Sequence, residues 1–400
     1  MDFTLDETQQ SIRDLARDFV DAEIVPYIRE WDRAESVDTR IVAKLGEMGF
    51  LGLTIDEEYG GTPVDMLGYT LVCEELGRGD SSVRGIVSVS LGLVAKTIAS
   101  YGTEEQKAQW LPELTSGRAL GCFGLTEPGS GSDAGSLRTR ARRVSTSSTG
   151  EGGGSTGEGD WVLDGEKTFI TNGTWARVAL VFARTGTVED GARGITAFLV
   201  PTDSPGFTAT TIHGKLGLRG QATASLSFDG VRLPDSARLG EVGKGFGIAM
   251  SALGKGRISV AAGSVGVAQA ALDAATRYAT ERTQFGGPIA QKQLVQELLA
   301  DSAVDIESAR LLTWRAASLV DQGVSGKALT YPSSVAKLAA SEAAVRVTNQ
   351  CLQVFGGYGF VDEYPMGKYV RDARVLTLYE GTSQVQKLII GRHLTGVDAM

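Results

Sequence analysis

Residues 123–133 read Phe-Gly-Leu-Thr-Glu-Pro-Gly-Ser-Gly-Ser-Asp, and the character of the 400-residue chain changes at this stretch. Before it, apolar residues recur at helical spacing, whereas after it short apolar runs alternate with Gly, Asp and Pro. From about residue 246 the helical spacing returns. This order predicts an α+β fold with an N-terminal helical domain over 1–120, a middle β-barrel domain over 121–235 and a C-terminal four-helix bundle over 236–400.

The residues before this stretch predict a series of helices. Thr4 and Glu7 have the spacing of a capping box, so we expect a first helix to begin there. Further helices are predicted near 38–50, 65–77, 81–101 and 103–116, separated by turns that contain Gly and Pro. In the C-terminal third, three long helices are predicted near 246–281, 290–323 and 333–355.

The middle of the chain predicts a small barrel or sandwich. Its apolar runs lie at 161–163, 178–183, 196–200 and 224–228, and the pairs Asp164-Gly165 and Asp229-Gly230 favour hairpin turns. Residues 145–160 are rich in Gly, Ser, Thr and Glu, which predicts a flexible loop between strands with no assigned function.

Composition narrows the possible partners. A net charge of −9 argues against nucleic acid and against an anionic membrane, and no apolar run approaching the ~20 residues of a membrane span is evident. The N-terminus does not resemble a signal peptide. The three cysteines, Cys73, Cys122 and Cys351, are predicted to be buried thiols in a reducing compartment. Only two histidines are present, which argues against a His-based metal site. We expect a cytoplasmic protein without a metal.

Two glycine-rich stretches imitate nucleotide-binding loops. Residues 129–134 fit G-x-G-x-x-A, but no strand precedes them and no helical pattern follows, and residues 243–247 lack the ending of a phosphate-binding loop. The hydroxyls of Thr126, Ser130 and Ser132 could still hold a phosphate or the edge of a ring, because the amides of such a turn point outward. A plain polar turn explains the same residues, so both interpretations stay open.

Glu380 is the candidate base. It lies between a β-like stretch, 375–379, and a helix predicted to begin near Ser383, and Gly381 beside it permits close approach of a ligand. A buried carboxylate there would act as a general base with a raised pKa. A glutamate in front of a helix also serves as a partner of the helix dipole, and the residues alone leave both roles open.

Five segments, in order, resemble signatures of the acyl-CoA dehydrogenase family. They are 123–133, Lys-Thr-Phe-Ile-Thr-Asn at 167–172, Glu-Arg-Thr-Gln-Phe-Gly at 281–286, Gln-Val-Phe-Gly-Gly at 353–357 and Tyr-Glu-Gly-Thr-Ser-Gln at 379–384. The resemblance covers nearly the whole chain. It implies FAD bound between barrel and bundle, near a subunit interface.

The resemblance also assigns expected roles position by position. Residues implied to contact the flavin ring are Phe123, Leu125, Thr126, Phe169 and Thr171; those implied to hold the rest of FAD are Arg282, Gln284, Phe285, Gln353, Gly356, Gly357, Thr382 and Gln384. Ser132, Arg257 and Gly381 are implied to bind the acyl thioester. Phe169 stands where many relatives carry Trp, a mild departure because either ring stacks on a flavin.

The implied reaction is α,β-dehydrogenation of an acyl-CoA. Glu380 would take the α-proton while the β-hydrogen leaves as hydride to flavin N5, and the Glu380 amide would hold the enolate oxygen. Some relatives place the base at the position of Gly256, which cannot serve here. The resemblance further implies a homotetramer, a dimer of dimers, that passes electrons to electron-transfer flavoprotein.

Two alternatives keep the same fold. Gly254 replaces an acidic residue that contacts the CoA arm in many relatives, which raises a thioester of an acyl carrier protein as an alternative substrate. A flavin oxidase that uses oxygen is a further alternative, although the presence of Glu380 favours a dehydrogenase.

Overall fold

The protein was analysed as a computed structural model that describes residues 4–144 and 159–399. Most of the loop predicted over 145–160 lies outside the described residues. The N-terminal domain contains α1 (Glu7–Glu23), α2 (Ile28–Ala34), α3 (Arg40–Glu47), α4 (Met66–Gly79), α5 (Ser81–Val89), α6 (Lys96–Tyr101) and α7 (Glu104–Thr115).

The first helix begins in a different way from the prediction. Asp6, and not Thr4, is the N-cap: its carboxylate accepts from the amide of Gln9 at 2.8 Å, and the Gln9 side chain accepts from the Asp6 amide at 3.1 Å. The predicted Thr4–Glu7 pair was therefore wrong by two residues. Asp and Gln form the same reciprocal cap as Thr and Glu, and Asp6 has the extended backbone that a cap requires.

Two apolar helical segments form the centre of the core. Residues 81–101, which join α5 to α6 through a π-helical segment at Ser90–Ala95, and the first C-terminal helix, α8 (Gly245–Glu281), are long and apolar enough to span a membrane by length and composition. The expectation that no apolar run reaches this length was wrong. In the fold, 89% and 78% of their apolar windows are buried, as in core helices of a soluble protein.

The middle domain is a mixed sheet. Its strands are β1 (Gly121–Gly124), β2 (Arg140–Arg143), β3 (Trp161–Ile170), β4 (Val178–Arg184), β5 (Ile195–Pro201), β6 (Phe207–Thr211), β7 (Ala224–Leu233) and β8 (Arg238–Leu239). The order is β6-β7-β3-β2-β4-β5-β8, with β1 parallel to β4. The path is open within the described residues, so the predicted barrel is not closed.

The two Asp-Gly pairs lie inside strands and not at hairpin turns. Asp164-Gly165 belongs to β3 and Asp229-Gly230 to β7, and these antiparallel strands shift register between Leu163 and Gly165. The amide of Gly230 donates to Asp164 at 2.8 Å across the strands. The hairpin prediction was wrong because the same residues that favour a tight turn also accommodate a β-bulge.

The C-terminal domain packs α8 against α9 (Gln293–Asp321) and α10 (Gly326–Phe355), followed by α11 (Met366–Leu376) and α12 (Ser383–Thr395). Short strands β9 (Thr283–Gln284) and β10 (Gly287–Pro288) pair between α8 and α9. The third helix begins seven residues before the predicted residue 333, because α10 continues through the buried Pro332. The predicted β-like stretch at 375–379 was wrong: it is the end of α11 and a turn.

One hydrophobic cluster joins the N-terminal helices, the inner face of the sheet and the C-terminal helices, and a second lies within the sheet. Helix α8 contacts α4, α5, α9, α10 and α11. The turn that carries Glu380, between α11 and α12, is consequently held against the centre of the molecule.

Candidate active site

Glu380 lies in a strained turn that neighbouring side chains lock in place. Its backbone has φ +52°, a left-handed conformation that L-residues other than Asn and Asp seldom adopt. The Gln386 side chain donates to the carbonyl of Glu380 at 3.3 Å and to that of Gly381 at 3.0 Å, and Lys337 donates to the Gly381 carbonyl at 2.8 Å. Thr382 caps α12 by accepting from the amide of Val385. The turn therefore fixes the direction of the Glu380 side chain.

The Glu380 carboxyl group is buried and incompletely paired. Its Oε2 is buried and has no hydrogen-bond partner among the described residues. Burial raises its pKa, while the positive charges of Arg84, Lys337 and Arg257 oppose that rise. A carboxylate with a raised pKa and an unused oxygen in a cationic surrounding is suited to accept a proton.

The Glu380 amide is also available. In the part of the chain that the structure describes, no hydrogen bond uses the N–H of Glu380 as donor. A free N–H next to the base is the donor that an oxyanion requires.

Helix α8 presents Gly256 and Arg257 to this carboxylate. A Cβ built on Gly256 would overlap Glu380 Oε2, so the absence of a side chain at 256 makes room for the glutamate. Arg257 is buried, its Nε has no partner among the described residues, and burial lowers its pKa while Glu380 opposes that effect. The structure thus brings together Glu380, Gly381 and Arg257, which the sequence assigned to one site.

Arg84, on α5, completes the charged surroundings of Glu380. Its side chain is 1% exposed, and it donates to the hydroxyl of Tyr379 at 2.5 Å and to that of Ser88 at 3.1 Å. Its Nε has no partner. Sequence reasoning missed this residue, although a single charge within the apolar segment 81–95 was a visible signal.

Other residues around Glu380 also escaped the sequence analysis. Lys337 lies in an alanine-rich part of α10, and burial lowers its pKa to about 8 while the charge of Glu380 opposes that effect. Gln386, which holds the turn, carries no sequence signal, because a glutamine on an amphipathic helix resembles a surface residue.

A second cluster lies where β1 and β3 end. The carbonyl of Thr126 accepts from the amide of Thr168 at 2.9 Å, so the segments 123–126 and 168–171 are adjacent. Phe123 and Leu125 are largely buried, whereas Phe169 has φ +58° and is 68% exposed. The five predicted ring contacts therefore fall on two neighbouring segments.

A buried ion pair ties these two segments together. Lys167 donates to Glu127 at 2.7 Å and to the Leu125 carbonyl at 3.1 Å, and Glu127 accepts from the amides of Arg138 and Thr139. Burial alone would raise the pKa of Glu127, but Lys167 and these hydrogen bonds hold it below its usual value. Burial lowers the pKa of Lys167 to about 8, against the attraction of Glu127.

Thr171 and Gln221 supply polar groups next to the exposed Phe169. The Thr171 hydroxyl donates to the side-chain Oε1 of Gln221 at 3.1 Å, and the Gln221 Nε2 is buried with no partner among the described residues. Asn172, also with a left-handed backbone, donates to the carbonyls of Ile86 and Gly121 and fixes the turn. An exposed aromatic ring and an unused amide donor bonded to the same short segment fit the face and the edge of a planar polar ring system.

A separate groove of about 540 Å³ lies at the end of α8. Its lining includes Arg282, Gln284, Gly356 and Gly357, and the Arg282 guanidinium lies 5.3 Å from the centre of the Tyr358 ring. The planar fork of arginine pairs with phosphate oxygens. The lining of this groove contains no residue of the Glu380 cluster or of the strand-end cluster.

The remaining predicted site residues lie on the surface and belong neither to the Glu380 cluster nor to the strand-end cluster. Phe285 is 93% exposed, with φ +51°, and Gln353, Gln384 and Ser132 are exposed. Their roles stay predictions, because each requires a ligand or a second subunit. Among the described residues, no group of three or more His, Cys, Asp or Glu side chains could hold a metal.

The fold and both clusters are those of a flavoprotein oxidoreductase with a buried carboxylate at its centre. The acyl-CoA dehydrogenase family matches in all three parts: its N-terminal domain at 6–118, its middle domain at 122–231 and its C-terminal domain at 243–395. The chain belongs to the acyl-CoA dehydrogenase family.

Relatives and solved structures agree over nearly the full length. The mitochondrial short-chain specific acyl-CoA dehydrogenase of Rattus norvegicus is 44% identical over 98% of this chain and 90% of its own, and the short-chain specific enzyme of Megasphaera elsdenii is 40% identical over 98% and 99%. The butyryl-CoA dehydrogenase structure from Megasphaera elsdenii has a TM-score of 0.92 at 39% identity, covering 98% of this chain and 100% of that one.

Two further structures bear on cofactor and partner. A chain from a study of the electron transferring flavoprotein of Acidaminococcus fermentans has a TM-score of 0.93 at 39% identity and covers 99% of this chain and 100% of its own. A glutaryl-CoA dehydrogenase of Mycobacterium smegmatis in complex with FADH2 has a TM-score of 0.91 at 37% identity, covering 99% and 96%.

The chain is thus an FAD-dependent oxidoreductase that dehydrogenates an acyl-CoA thioester. The residues present fit FAD: an exposed aromatic ring, an unpartnered amide and an arginine-lined groove meet the needs of a ring and a pyrophosphate. The predicted fold class, cofactor and enzyme class are confirmed.

Proposed function

We propose that this chain dehydrogenates a short-chain acyl-CoA and that Glu380 is the base that removes the α-proton. The observation that carries the assignment is the buried, unpartnered Glu380 Oε2, held in a strained turn against Gly256 and surrounded by three cations. The short chain length rests on the relatives, whose names specify short-chain and butyryl substrates.

The chemistry follows from the groups on hand. The α-hydrogen of a thioester is weakly acidic, so its removal requires both a positioned base and a donor for the developing enolate oxygen. Glu380 accepts the proton, and its own unused amide donates to the thioester oxygen. Bound FAD supplies the acceptor for the hydride that leaves the β-carbon.

The other site residues take roles consistent with their positions. We assign Phe123, Leu125, Thr126, Phe169 and Thr171 to the flavin ring, and Arg282, Gln284, Phe285, Gln353, Gly356, Gly357, Thr382 and Gln384 to the remainder of FAD. Ser132, Arg257 and Gly381 are assigned to the thioester. The Arg282 groove shares no lining residue with the strand-end cluster that is assigned to the flavin ring. The two ends of FAD therefore require separate binding surfaces.

Assembly, acceptor and compartment are further parts of the proposal. We assign a homotetramer, supported by large exposed apolar side chains on the C-terminal domain at Phe285, Leu294 and Phe360. Electron-transfer flavoprotein is the proposed acceptor, supported by the similarity to the Acidaminococcus fermentans chain. A cytoplasmic location is supported by three buried free thiols.

The test is an anaerobic titration of the purified protein with acyl-CoAs of increasing length, followed by flavin absorbance. Bleaching by butyryl-CoA, and weaker bleaching by long-chain acyl-CoA, is expected. A yellow protein that no acyl-CoA bleaches would overturn the proposal. An acyl carrier protein thioester would be tested next. Gly254 lacks the acidic side chain that contacts the CoA arm in many relatives, and the space beside it is open.

A further inference from the structure

A buried arginine that forms no ion pair among the described residues lies near Glu380. Arg84 is 1% exposed, and no ion pair of the described residues includes it. Its hydrogen bonds go to two neutral hydroxyls, of Tyr379 and Ser88. Burying a charge is costly unless it is paired, so an arginine kept in this state indicates a partner that arrives with a ligand.

The local charge balance also favours an anion. Three cations, Arg84, Arg257 and Lys337, act on the Glu380 carboxylate, which is the anion common to all three. Glu342 acts on Lys337 but is itself bonded to Ser383 at 2.5 Å. Three cations are therefore balanced mainly by one carboxylate, and the surroundings of Glu380 carry an excess of positive charge.

Helix α8 shows how far Arg84 lies from the base. Glu380 Oε2 lies against Gly256, and the Arg84 side chain lies against Gly263, which is seven residues and two turns further along the same helix. Seven residues rise about 10 Å along a helix axis. The guanidinium also donates to the hydroxyl of Tyr379, the residue that precedes Glu380 in the chain, and its charge acts on the Glu380 carboxylate.

A second buried polar group without a partner lies near Arg84. Tyr69, on α4, is fully buried, and its hydroxyl, close to Gly92 and with no partner among the described residues, acts electrostatically on Arg84. Arg84 Nε and the Tyr69 hydroxyl are therefore two buried polar groups without a partner among the described residues, and such groups suit a polar ligand better than an alkyl chain.

From this arrangement we infer that the acyl group carries a terminal carboxylate, which pairs with Arg84 while Glu380 acts at the α-carbon. The substrate class is a short dicarboxylic acyl-CoA. The arginine fork suits a carboxylate because it makes two parallel hydrogen bonds to it. This inference rests on the proposed function, since it uses the same base and the same thioester position.

The experiment compares acyl-CoAs of equal carbon number with and without the terminal carboxylate: succinyl, glutaryl and adipyl against butyryl, pentanoyl and hexanoyl. The holoenzyme is assayed for kcat/KM with an artificial electron acceptor. For at least one dicarboxylic substrate, kcat/KM should be tenfold or more above that of the monocarboxylic substrate with the same number of carbons. If every monocarboxylic substrate is the better one, the inference fails and the proposed function stands; if neither series reacts, the proposed function fails.

Variants test the residue itself. Arg84→Gln should lower kcat/KM for the preferred dicarboxylic substrate by about 30-fold or more, since truncating a buried charge pair costs that much, and should change the monocarboxylic rate by far less. Arg84→Lys, which keeps the charge, should recover part of the loss. The control is Arg346→Gln, an exposed arginine paired with Asp305 outside the site. An equal loss on both substrate series would assign Arg84 to positioning Tyr379 and overturn the inference; should Arg84→Gln not fold, the wild-type substrate ratio and Arg84→Lys decide it.

Discussion

Gly256 on α8 and Glu380 in the turn before α12 are in direct contact: a Cβ on Gly256 would overlap the Oε2 of the glutamate. The contact explains why the base can be at position 380 in this chain. The space that a side chain at 256 would fill is the space in which the Glu380 carboxylate lies. Side chains at positions 256 and 380 would therefore occupy the same space in the site, although the two residues are 124 positions apart in the sequence.

Glu380→Gln should abolish turnover while the protein keeps its flavin. The amide has the shape of the carboxylate but cannot accept the α-proton, so kcat should fall by about 10²–10⁴. Steady-state assays and the flavin absorbance of the purified variant measure the two properties. Glu113→Gln, at an exposed ion pair with Arg118, is the control. Normal turnover by Glu380→Gln would remove Glu380 as the base.

Gly256→Ala should lower the activity of the enzyme without a matching loss of its stability. In a helix, alanine is favoured over glycine by about 1 kcal/mol, but here its methyl group displaces the Glu380 carboxylate. A misplaced base should lower kcat by about 10–100-fold. The matched control is Gly247→Ala, on the same helix with open space around it. If both variants keep full activity, the contact does not position the base.

Lys337→Met should shift the pH profile of kcat/KM. Glu380 is active as the carboxylate, and the positive charge of Lys337 lowers its pKa against the effect of burial. Without that charge the carboxylate is less favoured, so the pKa rises and the acid limb moves to higher pH. Lys327→Met, on the exposed first turn of the same helix, should leave the limb in place. A limb that stays in place or moves to lower pH in Lys337→Met would contradict the electrostatic account.

The buried pair Glu127–Lys167 should be sensitive to single substitutions. Lys167→Met leaves the Glu127 carboxylate buried without its cation, and such losses cost about 3–5 kcal/mol in the free energy of unfolding. Glu127→Gln combined with Lys167→Met should cost less than the sum of the two single changes. Denaturant unfolding of the holoenzyme measures this. Lys107→Met, at a more exposed pair with Glu104, should cost at most about 1 kcal/mol, and a similar value for Lys167→Met would show that the buried pair does not hold the site.

Arg282→Ala should weaken FAD binding. If the Arg282 groove receives the pyrophosphate, loss of the guanidinium should raise the FAD dissociation constant by at least about tenfold, because a charged hydrogen-bonded contact is removed. Fluorescence titration of the apoprotein with FAD provides the value. Arg277→Ala, one turn earlier on α8 and outside the groove lining, is the comparison. Equal FAD affinities for both variants would argue against the groove as the pyrophosphate site.

Local sequence determined the order of the domains and most of their elements. Periodic apolar residues located α4, α8, α9 and the helical segment 81–101 from α5 to α6 to within a few residues, because helical spacing reflects the buried face directly. The same local signals failed at Asp164-Gly165, where a bulge and a hairpin turn require similar residues, and at 375–379, where the short apolar run fitted strand and helix alike.

The motifs of the sequence determined the family, the flavin and the identity of Glu380 as the candidate base. They could not show the state of that carboxyl group, because its pKa depends on Arg84, Lys337 and Arg257, which lie on α5, α10 and α8. Electrostatic interaction falls with distance in space and not with separation along the chain. Only the tertiary structure brought the unpaired Arg84 to the acyl site, and with it the charge that determines which acyl group the site can hold.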